Sequence, residues 1–172
     1  MLSSDEAVHG LYADPEVVRA VADRFGPEVL DAAGAVDRAA LGPRAFGEPD
    51  GLRFLEGLLH PRIGAGRERW VADQRRRDPV APLLVCEVPL LFEVGAEGAF
   101  DAVLVITAGE SVRRERVEAR GQRFDERRAR QLPEAEKVAR ADAAYVNDGS
   151  LAALEAWVAE RFAELAGRPC DG

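Results

Sequence analysis

Apolar positions fall into two textures along the chain, short unbroken runs and longer stretches with helical spacing. Leu83 to Val88 and Ala102 to Ile106 are unbroken runs, each too brief for a helix and bounded by prolines, an acid or small residues, so both read as fully buried strands. Ala144-Tyr145-Val146 reads as a third strand, and Leu2 to Asp5 as the last residues of a strand running into a loop. Asp14-Pro15-Glu16 supplies an N-cap, a proline at the first helical position and an early acid, which predicts a helix to about Phe25, broken by Gly26-Pro27. Asp37 caps a short helix carrying Ala39, Ala40, Leu41 and Phe46. Pro49 and Asp50 open another with Leu52, Leu55, Leu58 and Leu59 at helical spacing. That helix is expected to stop near His60-Pro61, because a proline disfavours helical backbone in the residue before it. A polar helix then restarts through Ile63, Trp70 and Val71 to the Arg75-Arg76-Arg77 run. The last helix starts at Ser150 and is expected to bury Leu151, Leu154, Val158, Phe162 and Leu165; only Gly167 to Gly172 reads as a loose tail.

Strands separated by helical crossovers predict an α/β fold with a parallel sheet covered on both faces. At 172 residues, 47% hydrophobic and 31% charged, the chain has the size and balance of one globular domain. A net charge of -8 argues against nucleic acid as a partner held by bulk electrostatics, which needs a basic surface. No apolar run approaches the ~20 residues that cross a bilayer, so no membrane partner is expected. Cys86 and Cys170 form neither a disulfide framework nor a metal-ligand pattern, which fits a reducing, cytoplasmic location.

In an open parallel sheet, ligands bind at the carboxyl ends of the strands. Asp5 follows the first strand, where a carboxylate accepts a proton from a substrate hydroxyl or helps position Mg²⁺; the plainer alternative is a helix or turn cap made by Asp5 or the serines beside it. Arginines crowd residues 110–131, among them Arg113, Arg114, Arg116, Arg120, Arg123 and Arg130, in a helix–Gly121–helix pattern. A mobile arm of this kind folds over a nucleotide and gives guanidinium contacts to phosphates. Most of these arginines read instead as a solvated face interleaved with Glu115, Glu118, Asp125 and Glu126, leaving two or three at most for chemistry. His9 and His60 are unspecific taken alone. Gly64-Ala65-Gly66 lies in a helical pattern and is rejected as a phosphate loop. Asn147-Asp148-Gly149 is first a turn signal. No cluster of metal ligands is evident.

The order of these signals resembles the dephospho-CoA kinase family from end to end. The resemblance rests on Leu2-Ser3-Ser4-Asp5 with His9, Arg24-Phe25-Gly26, Asp37-Arg38-Ala39-Ala40-Leu41, Leu58-Leu59-His60-Pro61-Arg62-Ile63 and Val88-Pro89-Leu90-Leu91-Phe92-Glu93. It continues through Phe100 to Val105, Arg116 with Arg120, Gln131, Glu136-Lys137, Ala141-Asp142 and Asn147-Asp148-Gly149-Ser150. It implies a three-layer P-loop kinase-like fold with a parallel sheet, a helical substrate-binding region at about 14–77 and a lid at about 110–140, all in one domain spanning 1–172. The implied reaction moves the γ-phosphoryl group of ATP, with Mg²⁺, to the ribose 3′-hydroxyl of dephospho-CoA, giving coenzyme A. Asp5 matches the second aspartate of the family's Asp-x-Asp pair and is implied as general base or Mg²⁺ organiser, while Ser3 stands where the first aspartate would be. His9, His60, Arg62, Pro89, Leu90, Leu91, Phe92 and Glu93 are implied in the acceptor site. Arg116, Arg120, Gln131, Asn147 and Gly149 are implied at the nucleotide.

The larger departure from the family lies ahead of Leu2. The only lysine is Lys137, followed by Val138, so no G-x-x-x-x-G-K-[ST] phosphate loop is present. The family's first strand, glycine-rich loop and following helix, roughly 25 to 30 residues at usual element lengths, are expected ahead of Leu2. The reading adopted is a start codon placed too far downstream of that segment, the true product being an active kinase. The alternatives are a non-catalytic remnant that binds ligand or partner, or another small-molecule P-loop kinase, which explains His60-Pro61 and Pro89 to Glu93 less well.

Overall fold

Strand β1 (Leu2–Ser3) turns at once into helix α1 (Ser4–Leu11), where a loop was expected. The helix forms here because Val8 and Leu11 pack onto the apolar core of the helices that follow. The computed structural model describes residues 1–48, 50–121, 124–129 and 131–168, the side chains of 126 and 127 excepted. Pro49, Arg123, Arg130 and Cys170 lie outside the described residues. The chain divides into two compact units, Met1–Val88 and Pro89–Gly172.

In the first unit, Asp14 caps α2 (Pro15–Phe25) by accepting from the amides of Glu16 and Val17, and Asp37 caps α3 (Arg38–Gly47) through those of Ala39 and Ala40, as expected. Gly26, at φ 93°, ends α2 in backbone that a side chain would strain. Helix α4 (Gly51–Arg75) runs unbroken through Pro61, against the expected stop at His60. The loss of one amide donor at Pro61 is outweighed by packing on both sides of it: Leu55 and Leu59 are buried in the core and Ile63 lies against it. Gly51 has to be glycine, since an added Cβ would sit 2.5 Å from the Ala45 carbonyl oxygen. Val17, Val21, Phe25, Val29, Val36, Leu41, Ala45, Leu55 and Leu59 form one continuous core, with the Phe25 ring edge-on to Phe54 at 5.7 Å. Strand β2 (Cys86–Glu87) pairs in parallel with β1, Leu2 opposite Cys86. The Leu2 amide donates to the Val85 carbonyl at 2.8 Å. The expected strand from Leu83 to Val88 is cut to this length because β1 offers it only two residues to pair with.

In the second unit, a turn-rich segment with one short 3-10 turn (Glu97–Ala99) leads into β3 (Leu104–Thr107). Helices α5 (Glu110–Glu118), α6 (Phe124–Arg128) and α7 (Glu134–Arg140) follow, then β4 (Ala143–Val146) and α8 (Leu151–Ala166). β3 and β4 pair in parallel, Leu104 opposite Ala143 through Thr107 opposite Val146. The expected run 102–106 thus pairs two residues later. Val103 enters the pairing through Asp142, its amide donating to the Asp142 carboxylate at 2.7 Å and its carbonyl accepting from the Asp142 amide at 2.9 Å. The strand is not fully buried as expected: its side chains alternate, with Leu104 and Ile106 39% and 52% exposed. Helix α8, capped by Ser150, also departs from expectation. None of its residues is buried, and its Trp157 ring lies against Tyr145 of β4, centroids 5.3 Å apart. Among the described residues no helix is long and apolar enough to cross a membrane.

Phe25→Ala removes a ring that is 2% exposed, and the expected loss is about 3–5 kcal/mol in urea unfolding. Phe162→Ala, at a ring 49% exposed on α8, should cost about 0.5 kcal/mol or less. Equal losses would show that the core does not lie where it is drawn here.

Candidate active site

Two strand ends, one in each unit, carry the polar chemistry. In the first unit, the chain leaves β1 through Ser3, the N-cap residue of α1. Its hydroxyl makes no cap and donates instead to the Glu87 carboxylate at the end of β2, at 2.9 Å. Asp5 therefore lies in the first turn of α1 rather than in a loop, exposed, where the unpaired amides of a helix start favour a carboxylate. The capping role considered for Asp5 is not made: no side chain caps α1. His9 is exposed in the last turn of the same helix. His60 is exposed in mid-α4, while Arg62 donates to the Leu58 carbonyl at 2.9 Å and pairs with Glu16 at 3.2 Å, which ties α4 to α2.

In the second unit, the carboxyl ends of β3 and β4 are joined. The Gly109 amide donates to the Asp148 carboxylate at 2.7 Å, and the Arg116 guanidinium donates to the Asn147 carbonyl at 3.3 Å. The structure thus brings Arg116 and Asn147 together. Arg120 is exposed and makes no hydrogen bond or ion pair to another described side chain, so its guanidinium is available to an anion. Most of the other described arginines of residues 110–131 are already engaged. Arg113 pairs with Glu134 at 2.7 Å. Arg114 meets Asp125 through two hydrogen bonds, 3.0 and 3.3 Å, and lies 4.4 Å above the Phe124 ring; Arg128 reaches Glu110 at 3.0 Å. The hydrogen bond from Arg114 holds the Asp125 carboxyl below its ordinary pKa. For these residues the solvated, carboxylate-balanced face is the structure found.

The Pro89–Glu93 segment is held by its last two residues. Leu90 is exposed, Phe92 is buried, and the Glu93 carboxylate accepts from the Lys137 ammonium at 2.8 Å and from the Leu132 amide at 2.8 Å. Burial pushes the Glu93 carboxyl up, but the bonds from Lys137 and Leu132 outweigh it and hold the group below the usual carboxylate value. Gln131, exposed, stands next to that Leu132 amide. The sequence marks Lys137 as part of the family resemblance and as a lysine outside a phosphate loop, but does not reveal its pairing with Glu93. The partners are 44 positions apart, and the one local sign was the Glu136-Lys137 pair within an otherwise arginine-rich chain. Gly109–Asp148 and Arg140–Glu97 were missed for the same reason.

A family model for dephospho-CoA kinase matches residues 4–153. A dephospho-CoA kinase of Bradyrhizobium diazoefficiens is 37% identical over 171 residues, covering 96% of this chain and 83% of the relative. Another, of Anaeromyxobacter dehalogenans, is 41% identical over 151 residues, covering 86% and 71%. The chain belongs to the dephospho-CoA kinase family. Among solved structures, that of TT1252 from Thermus thermophilus is 35% identical, with a TM-score of 0.72 over 96% of this chain and 84% of that one. The dephospho-CoA kinase from Campylobacter jejuni is 23% identical, with a TM-score of 0.69 over the same shares, and shows the fold alone. The α/β, P-loop kinase-like fold with parallel strands expected from the dephospho-CoA kinase resemblance is the fold found.

Among the described residues no three metal-ligating side chains gather. Asp5 and Glu87 are both exposed carboxylates at strand ends of the first unit, Glu87 already accepting from Ser3, and Asp5 is of the donor type that holds Mg²⁺ together with substrate phosphates.

Because the folded pKa of Glu93 is depressed, its contribution to stability is complete above the unfolded carboxylate pKa of ~4.3 and is lost as pH falls through the lower folded value. Thermal unfolding of Glu93→Gln should accordingly fall less steeply with acid below about pH 4.5 than that of the wild type. Parallel curves would mean that the Glu93 carboxylate is not held as described.

Proposed function

We propose that the chain transfers the γ-phosphoryl group of ATP to the ribose 3′-hydroxyl of dephospho-CoA, giving coenzyme A and ADP. The observation that carries this reading is the dephospho-CoA kinase match across residues 4–153, accompanied by 37% identity to a curated dephospho-CoA kinase along 171 residues. The chain is a kinase of that family, and ATP is its phosphoryl donor.

Residue roles are inferred from position. Asp5, exposed at the carboxyl end of β1, accepts the proton of the 3′-hydroxyl as its oxygen attacks the γ-phosphorus and ADP departs. In the alternative role, Asp5 would help hold Mg²⁺ beside the substrate phosphates, where the ion would supply neutralisation of the charge on the phosphoryl oxygens. Arg120, free of carboxylate partners among the described residues, and Arg116, turned toward Asn147, supply guanidinium contacts to those oxygens. Asn147 and Gly149, in the turn after β4, and Gln131, ahead of α7, lie at the nucleotide. The family resemblance assigns His9, His60, Arg62, Pro89, Leu90, Leu91, Phe92 and Glu93 to recognition of the acceptor. Residues 14–77, the helical core of the first unit, form the substrate-binding region, and 110–140 form the lid, both parts of one kinase domain. Two cysteines without a framework favour the cytoplasm as the compartment.

In the native enzyme, Asp5→Ala should lower turnover by about two orders of magnitude or more while ATP binding, measured calorimetrically, stays close to the wild type. A near-normal rate would remove Asp5 from the reaction. Arg120→Ala should slow phosphoryl transfer far more than Arg75→Ala at the end of α4, as read by single-turnover kinetics. Equal effects would contradict the lid assignment.

A further inference from the structure

Helix α7 is fastened to the segment 89–99 at two places. One is the Lys137–Glu93 pair, with side chains only 16% and 12% exposed. The other is Arg140, which pairs with Glu97 and Glu136 while its guanidinium lies 5.0 Å from the centroid of the buried Phe92 ring. Lys137 and Arg140 are three apart on α7 and so share a face, and Glu93 and Glu97 answer them four apart on the facing segment. Glu93 additionally accepts the Leu132 amide just ahead of α7, so one carboxylate holds both the helix and its approach. Its second oxygen is buried without a hydrogen-bond partner. A carboxylate committed in this way is poorly placed to serve as a plain solvent-facing ligand, and breaking its pair strands a buried charge.

We infer that Glu93 and Lys137 form a positioning clamp that fixes the Pro89–Glu93 acceptor segment to α7, so that recognition of dephospho-CoA depends on Lys137, a residue that does not itself touch substrate. This rests on the kinase reading proposed above and deepens it. Leu90 is exposed, and the carbonyls of Leu90 and Leu91 accept from the Val94 and Ala96 amides at 3.2 and 3.0 Å, bonds made within the turn itself that do not fasten it to α7. The placement of Pro89, Leu90 and Leu91 against α7 is inherited from the buried Phe92 and from the Glu93 clamp that follows it. An acceptor segment held in this way binds ground state and transition state alike, so its loosening raises KM more than it lowers kcat. Both clamp partners would also be expected to act as a unit, since neither has another opposite charge within bonding distance among the described residues.

The test uses the native enzyme with Glu93→Gln and Lys137→Met together, which keeps volume and leaves no stranded charge. The conservative Lys137→Arg, which retains the cation, is its companion. The inference expects the double variant to fold, to raise KM for dephospho-CoA about tenfold, and to leave KM for ATP within about twofold, because a displaced positioning segment misplaces only the substrate it contacts. Lys137→Arg should recover most of that loss. Hydrogen exchange at the Leu132 amide should quicken about fivefold in the double variant as its acceptor loses charge. A folded double variant with wild-type KM and wild-type Leu132 protection overturns the clamp, as does an equal rise in KM for both substrates. Should the wild-type protein make no coenzyme A, the functional reading fails by itself. The Leu132 amide then decides the clamp alone, faster exchange upholding it and unchanged exchange refuting it.

Discussion

Parallel pairing is the constraint from which the rest of the structure follows. Two parallel strands cannot be joined by a hairpin, so the chain that leaves one must travel back before it enters the next, and what it builds on the way becomes the working part of the molecule. Between β1 and β2 the return is the helical region, with its core of Val17, Val21, Phe25 and Leu55. Between β3 and β4 it is the arginine-rich set α5 to α7. Parallel strands also place all their carboxyl ends on one edge of the pair. In the first unit that edge carries Ser3, Glu87 and the start of α1 with Asp5; in the second it carries Gly109 bonded to Asp148 and Arg116 bonded to Asn147.

Residues 110–140 show how an arginine-rich composition resolves into few available charges. Arg113, Arg114, Arg128 and Arg140 are each paired to carboxylates within the second unit, so the surface they form is balanced and its helices are tied to one another. Such half-exposed pairs contribute little stability individually. Their effect here is selective: they leave Arg120 free and Arg116 turned toward the turn after β4, and so separate the guanidinium groups that hold the protein from those that can meet phosphate.

Local signals were legible in the sequence because local physics produces them. The caps at Asp14, Asp37 and Ser150 bond to amides two or three residues away, and each opened its helix where it was expected. Pro61 misled because a local rule met a tertiary one, and the burial of Leu55 and Leu59 carried α4 through it. The stripe on α8 has the spacing of a buried face, but spacing cannot tell what lies opposite, and Leu151 is 68% exposed. The Glu93–Lys137 pair was illegible for a simpler reason: nothing in either neighbourhood announces a partner 44 positions away. Of the candidate site, the residue types at the strand ends could be read from the sequence, and the order of motifs pointed to the family. Which arginines are paired to carboxylates and which are not was not legible, because their partners on other elements are set by the fold.

The central claim is a specific phosphoryl transfer, and the most direct measurement is the fate of dephospho-CoA incubated with ATP and Mg²⁺ and the native protein, followed by phosphorus NMR. The account predicts a new phosphomonoester on the ribose 3′-oxygen, appearing in step with ADP. ADP formed without that ester, or no consumption of either substrate, would contradict it.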